Sequence, residues 1–292
     1  MLILFTKNNR KHMLSFKKYS NIILNEKEIL INNGAKYGNI VFLAGGAGSG
    51  KGFASENFIN SSDYKIRDVD EIKSAFLKLS KLKNKYPEIK NLSLKNPNDV
   101  YKLHKFIESK GIVDKTLSLL IKSNKNKEVL PNIIFDVTLK NIKKIKDITP
   151  KLFEAGYSKE NIHLIWVLTN YSVAVKSNRE RERIVPDDIL LKTHTGAHET
   201  MWEIIGKNNI PPEINGGIYI ILNNRENTIY YSDNKGKPIK STSKNNFTVK
   251  DFKYLTFKKP GKKPLNDLKI KIQLYTWIIN NVPLTPTGVF KS

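Results

Sequence analysis

The sequence predicts an α/β fold, a central, mainly parallel sheet held between helices as a three-layer sandwich. Three observations lead there. Short, continuously apolar runs at residues 39–44, 132–137, 162–168 and 218–222 read as strands covered on both faces. Stretches of helical spacing alternate with them, as right-handed crossovers between parallel strands require. The first of these runs ends directly in Gly45, Gly46, Ala47, Gly48, Ser49, Gly50, Lys51 and Gly52, a glycine-rich turn that opens a helix.

Each element follows in order. Residues 14–36 read as a polar helix, then strand 39–44, the glycine loop and a helix over 51–59. A short strand at 64–67 runs into Asp68-Val69-Asp70, and residues 71–125 hold two or three helices interrupted at 91–98. Strand 132–137 is followed by a helix over 139–155 that stops at Gly156, since glycine readily takes the left-handed conformation that ends helices. After strand 162–168 come a helix over 171–183, a second starting at Pro186, and strand 218–222. Residues 223–238 suggest a hairpin turning at Asn234-Lys-Gly236, 241–246 a polar linker, and 268–280 a last helix. The division expected is an N-terminal helical extension (1–37), a main domain (38–240) built around the glycine loop with a helical lid near 176–200, and a small basic C-terminal extension (241–292).

Composition sets limits. There are no cysteines, which excludes disulfides, thiolate metal sites and cysteine nucleophiles. No apolar run approaches the roughly 20 residues of a membrane helix. Met1–Phe5 is too short for the apolar core of a signal peptide, and Met13 is a second plausible start. A soluble, cytoplasmic protein is the expectation. The net charge of +23 invites nucleic acid as a partner, but the lysines are scattered, as on a solvated surface. Arginine is rare, six against 44 lysines, and three fall together at Arg179, Arg181 and Arg183. That suits bidentate recognition of an oxyanion, with an exposed Arg/Glu helix as the plain alternative.

The pattern G-x-x-x-x-G-K after a strand is a phosphate cradle. Its backbone N–H groups converge on an anion, Lys51 adds a cation for the β- and γ-phosphates, and the helix N-terminus adds its dipole. Ser or Thr usually follows the lysine to hold Mg²⁺; here Gly52 stands there. Ligands of open parallel sheets bind beyond the carboxyl ends of the strands, which also brings in Asp68, Asp70, Asp136 and Thr138. Asp70 is a candidate general base for an acceptor hydroxyl, or simply a helix cap. Asp136 is placed to hold Mg²⁺, directly or through water, or to bind the acceptor, and Thr138 could serve either. With Gly52 in the chain, Mg²⁺ is expected to lean on water, Asp70 or Asp136, while Asp68 and Arg181 join Asp136 and Thr138 as candidates for binding the acceptor. On a helix Arg179 and Arg183 share a face while Arg181 points away, so the first two suit the transferring phosphoryl group. His194 and His198, four residues apart, suggest a lid surface rather than a metal site. The Lys258-Lys259 and Lys262-Lys263 pairs read as solvated charge or a contact for an anionic partner.

These residues resemble the zeta-toxin-like P-loop kinases over about residues 38–235. The resemblance rests on an ordered series: Gly45–Lys51, Asp68-Val-Asp70, and Ile133-Ile-Phe-Asp-Val-Thr-Leu-Lys140, where the family reads Ile-Glu-Gly-Thr-Leu-Arg. Glu154-Ala-Gly-Tyr157, Tyr171–Arg183 with Pro186, Leu222-Asn-Asn-Arg225 and Ile229-Tyr-Tyr-Ser232 continue it. It implies a P-loop NTPase fold of the nucleoside-kinase type and ATP or GTP as donor with Mg²⁺. It also implies Lys51 on the phosphates, Asp70 as base, Asp136 and Thr138 on the substrate, and Arg179 and Arg183 on the transferring group. The best understood members phosphorylate a UDP-linked amino sugar. The chain departs from the family at Gly52, at Asp136 in place of Glu, and in its tightly packed arginines. The function expected is therefore an ATP-dependent kinase acting on a hydroxyl of a small-molecule, nucleotide or nucleotide-sugar acceptor. A polynucleotide kinase and a nucleotide-binding module without catalysis are the alternatives.

Overall fold

The computed structural model describes residues 23–24, 35–59, 64–122, 129–180, 184–223, 228–239 and 249–283. Strands β1 (Ile23–Leu24), β2 (Ile40–Ala44), β3 (Tyr64–Asp68), β4 (Asn132–Val137), β5 (Ile162–Leu168) and β6 (Ile218–Leu222) are joined in one seven-stranded sheet by β9 (Tyr254–Lys258). β7 (Thr228–Tyr230) and β8 (Val249–Phe252) form a separate antiparallel pair. The order in the large sheet is β1-β9-β6-β5-β2-β4-β3. Strands β3, β4, β2, β5 and β6 are mutually parallel, while β9 runs antiparallel to β6 and β1 antiparallel to β9.

Helices cover both faces. α1 (Lys51–Asn57) follows the glycine loop, and α2 (Val69–Lys78), α3 (Ser80–Lys85), α4 (Pro97–Ser109) and α5 (Ile112–Lys122) lie between β3 and β4. α6 (Lys143–Glu154), α7 (Tyr171–Arg179), α8 (Asp187–Ile205) and α9 (Leu268–Asn281) complete the set. Period-two alternation sorts the central strand between two cores. Ile40, Phe42 and Ala44 face a cluster shared with Ile145 and Leu152 of α6, Met201 and Ile204 of α8, and Leu274 and Ile278 of α9. Val41 and Leu43 face Ala54 of α1, Phe58 just past its end, and Phe252 of β8. The helices α2–α5 bury a third cluster of their own around Phe76, Leu103 and Ile107.

Several expectations change. Ile23–Leu24, expected in a helix, is a strand; most of the remainder of that helix lies outside the described residues. Among the described residues the 71–125 region makes four α-helices and a 3₁₀ turn at Pro87–Ile89, because Leu79 takes an extended conformation and separates α2 from α3. α6 starts at Lys143, since buried Leu139 holds φ at 52° and breaks the helix expected there. The turn at Asp233–Gly236 forms, but its arms meet only at a Ser232–Pro238 bridge, and β7 pairs instead with β8. Residues past 241, expected as an extension, supply β9 and α9 to the main core.

Lys258 is the plainest of these corrections. Its ammonium is buried and donates to the carbonyls of Asn215 (2.7 Å) and Gly216 (2.9 Å), tying β9 to the entry of β6. Burial lowers its pKa, and it faces neither solvent nor an anionic partner.

Candidate phosphate-binding site

The strand register lines up the carboxyl ends that carry the site. Leu43 of β2 stands opposite Asp136 of β4, and Asp136 opposite Asp68 of β3. The chain leaves β2 into the glycine loop, where Gly48 and Gly50 hold φ of 76° and 80°. A side chain is excluded at both positions. A Cβ on Gly48 would lie 2.3 Å from the Ala174 carbonyl oxygen, and one on Gly50 2.3 Å from Asn223 Nδ2. α1 then starts at Lys51, with the Ala54 N–H donating to Gly50 O at 2.9 Å.

Lys51 folds back across the loop. Its Nζ donates to Gly45 O at 2.8 Å and lies 3.5 Å from Asp136 Oδ1. A cation is thereby poised over the cradle with a carboxylate as its counter-charge, an arrangement that an incoming phosphate can take over.

The two strand-end aspartates beyond β3 differ. Asp68 caps α2, its carboxylate accepting the Asp70 N–H at 2.7 Å. Burial, and next the neighbouring charge of Asp136, push its pKa up to about 6, with the Asp70 N–H working the other way. Asp70 sits in the first turn of α2, more open, with the buried Lys73 ammonium 3.0 Å away. Thr138 lies just past β4, half-buried.

Gly52 is exposed, and a Cβ placed on it meets nothing within 4 Å. Among the described residues, no neighbouring side chain occupies the place of the usual hydroxyl. Among the described residues, no group of three or more His, Asp or Glu could by itself hold a metal ion. The donor set fits Mg²⁺ in its usual protein mode, through one or two carboxylates, water and substrate phosphates. Asp136 and Asp68 stand opposite one another in the strand register and would supply them, whereas Asp70, the other ligand expected, pairs with Lys73.

Of the arginines, Arg179 is the last residue of α7 and is exposed, while Arg181 and Arg183 lie outside the described residues. The structure thus brings the glycine loop, Lys51, Asp68, Asp70 and Asp136 to one rim, and Arg179 is not shown in contact with them. The 187–200 half of the segment expected as a lid is packed inward, with Leu190, His194, Ala197 and His198 fully buried.

Neither histidine is therefore on a lid surface. His194 Nε2 lies 3.0 Å from the Thr169 carbonyl, which fixes the proton on Nε2. His198 Nδ1 likewise donates to His194 O at 2.7 Å, and its ring meets the edge of Trp166. Burial drives both pKa values down, His194 to about 4 with the Lys51 charge adding to the effect, so both rings are neutral at pH 7.

Sequence reasoning missed Thr169, Asn223 and His194. Thr169 Oγ1 and Asn223 Nδ2 both donate to the Ser49 carbonyl, at 2.8 and 2.7 Å. The signal was available for two of them. Thr169 directly follows β5 and Asn223 directly follows β6, so the strand-end rule that selected Asp136 selects them too.

The sequence matches the family model described as Zeta toxin over residues 24–235. No curated protein matches it. Among solved structures it is similar to a chain of the PezAT chromosomal toxin–antitoxin system of Streptococcus pneumoniae, with 17% identity and a TM-score of 0.41 over 65% of this chain and 70% of that one. It is also similar to the native AvrRxo1-ORF1:-ORF2 complex, with 11% identity and a TM-score of 0.43 over 86% of this chain and 73% of that one. The same complex with ATP matches with 11% identity and a TM-score of 0.43 over 86% of this chain and 74% of that one. The family match spans the glycine loop, every strand-end carboxylate described above and the parallel core of a P-loop NTPase sandwich: the chain belongs to the zeta toxin family.

Proposed function

We propose that the protein is a kinase that transfers the γ-phosphoryl group of ATP or GTP to a hydroxyl of a small-molecule, nucleotide or nucleotide-sugar acceptor. The observation that carries this reading is Lys51 lying across a formed glycine loop and facing Asp136 at the rim of the parallel sheet. Loop N–H groups and Lys51 bind and orient the donor phosphates. In this reading Asp68 is occupied by its cap to α2, which fixes the backbone of Asp70. Asp70, paired with Lys73, then takes the acceptor's hydroxyl proton as the oxygen attacks phosphorus and the bond to the nucleoside diphosphate breaks. Asp136 and Thr138 contact the acceptor side, and Arg179, Arg181 and Arg183 close over the transferring group and exclude water. When bound, Mg²⁺ would neutralise charge on the donor phosphates, and Asp136, with Asp68 opposite it in the strand register, would hold it.

The deciding experiment is acceptor phosphorylation by Asp70→Asn with labelled ATP and a metabolite pool. We expect a loss of about 10²- to 10⁴-fold, the usual worth of a general base, with nucleotide affinity held within about twofold. Transfer at the wild-type rate would show that Asp70 is not the base. Asp68→Asn, which preserves the cap, is expected to lose less.

A gain is also expected. The open space at Gly52 admits Gly52→Ser without strain, adding a hydroxyl where metal coordination lacks one and replacing glycine inside a helix, by itself worth about 0.5 kcal/mol. The Mg²⁺ concentration for half-maximal turnover should fall several-fold. An unaltered Mg²⁺ titration would mean that the missing oxygen is not limiting.

A further inference from the structure

We propose that Thr169, Asn223 and His194 form a side-chain clamp that holds the glycine loop in its anion-binding shape before any nucleotide arrives, with His194 as a positioning residue behind it. The inference rests on the reading above only for the identity of the anion, a nucleoside triphosphate.

The Ser49 carbonyl receives two hydrogen bonds, one from each of two strand ends: Thr169 Oγ1 at 2.8 Å and Asn223 Nδ2 at 2.7 Å. A trans peptide is planar, so anchoring this carbonyl turns the Gly50 N–H the opposite way, away from the clamp. Asn223 is fixed in its turn, its N–H donating to Leu168 O at 2.9 Å. Thr169 is gripped at its other end as well, because its own carbonyl accepts the His194 Nε2–H at 3.0 Å. One residue thus uses its hydroxyl on the loop and its carbonyl on α8.

α8 also touches the loop directly. A Cβ on Gly46 would lie 2.5 Å from His194 Cα and 2.7 Å from its Nδ1. The loop is therefore braced at Gly46 and at Ser49 by the same histidine, once by contact and once through Thr169. His194 is fully buried, and the His198 ring is 4.5 Å away, so the brace is rigid. Among the described residues His194 Nδ1 has no hydrogen-bond partner. An apolar side chain would fill the same space without that unpaired nitrogen. What an apolar side chain would not supply is the Nε2–H on the Thr169 carbonyl.

The test pairs two measurements on full-length protein. One is calorimetric affinity for the β,γ-imido analogue of ATP; the other is amide hydrogen exchange over residues 45–52 without ligand. Thr169→Val keeps the side-chain shape and removes only the donor, Thr169→Ser restores it, and Asn223→Ala removes the second donor. We expect about five- to tenfold weaker analogue binding and faster loop exchange for Thr169→Val and Asn223→Ala, with Thr169→Ser close to wild type. His194→Phe should reproduce the Thr169→Val phenotype, and combining the two should cost little more than either alone, because both act through one residue.

Unchanged loop exchange in Thr169→Val and Asn223→Ala would overturn the clamp, as would faster exchange spread evenly over the whole protein. If wild-type protein binds no nucleotide, the kinase reading falls, while the exchange data still decide the clamp.

Discussion

Lys51→Ala is expected to abolish phosphoryl transfer, with labelled-ATP turnover falling by at least about 10²- to 10³-fold, the size of effect seen when a preorganised charge-stabilising donor is removed. The reason is local. The ammonium is the charge positioned over the cradle, 2.8 Å from Gly45 O and 3.5 Å from Asp136. Removing it leaves Asp136 without its Lys51 counter-charge beside the incoming phosphates, so a catalytic contact is lost and a repulsive one appears. Its hydrogen bonds run to loop carbonyls rather than into the core, so thermal stability should change little. Turnover above a tenth of wild type would place the chemistry elsewhere.

The second large effect concerns folding. A chain ended at residue 240 contains the whole family-matched segment, residues 24–235, yet it is expected not to fold. It lacks eight buried hydrophobic side chains: Phe252, Tyr254, Leu255, Phe257, Ile270, Leu274, Ile278 and Val282. At about 1.5–3 kcal/mol each their burial amounts to some 12–24 kcal/mol, against a total stability of about 5–15 kcal/mol for an ordinary domain. The truncated chain should be insoluble, or show no cooperative transition by circular dichroism. A cooperative melt near that of the full chain would show that β9 and α9 are accessory.

How far the sequence disclosed the molecule follows from what each signal depends on. β2, β4, β5 and β6 were legible because both faces are buried, leaving unbroken apolar runs bounded by turn residues. The glycine loop was legible because left-handed backbone at Gly48 and Gly50 requires glycine itself. Asp68, Asp70 and Asp136 followed from strand order alone. β9 was hidden: Tyr254, Leu255 and Phe257 lie in a lysine-rich stretch, and only its pairing with β6 shows that Lys258 turns inward. His194 and His198 were hidden differently. Spacing four apart marks one helix face, but it does not say whether that face meets solvent or Trp166.

The position of β9 has a consequence for how the protein is made. Synthesis runs from the N-terminus, and β6 is complete some thirty residues before the strand that covers its edge. β9 in turn is the only pairing described for β1, which was made first. At ribosomal rates of about 5–20 residues per second, the stretch from residue 223 to 283 takes roughly 3–12 seconds. Throughout that interval the site-bearing strands exist while the core behind them stays open. A chain interrupted on the ribosome in this window would carry the glycine loop, Lys51 and every strand-end carboxylate, and still have no stable fold in which to use them.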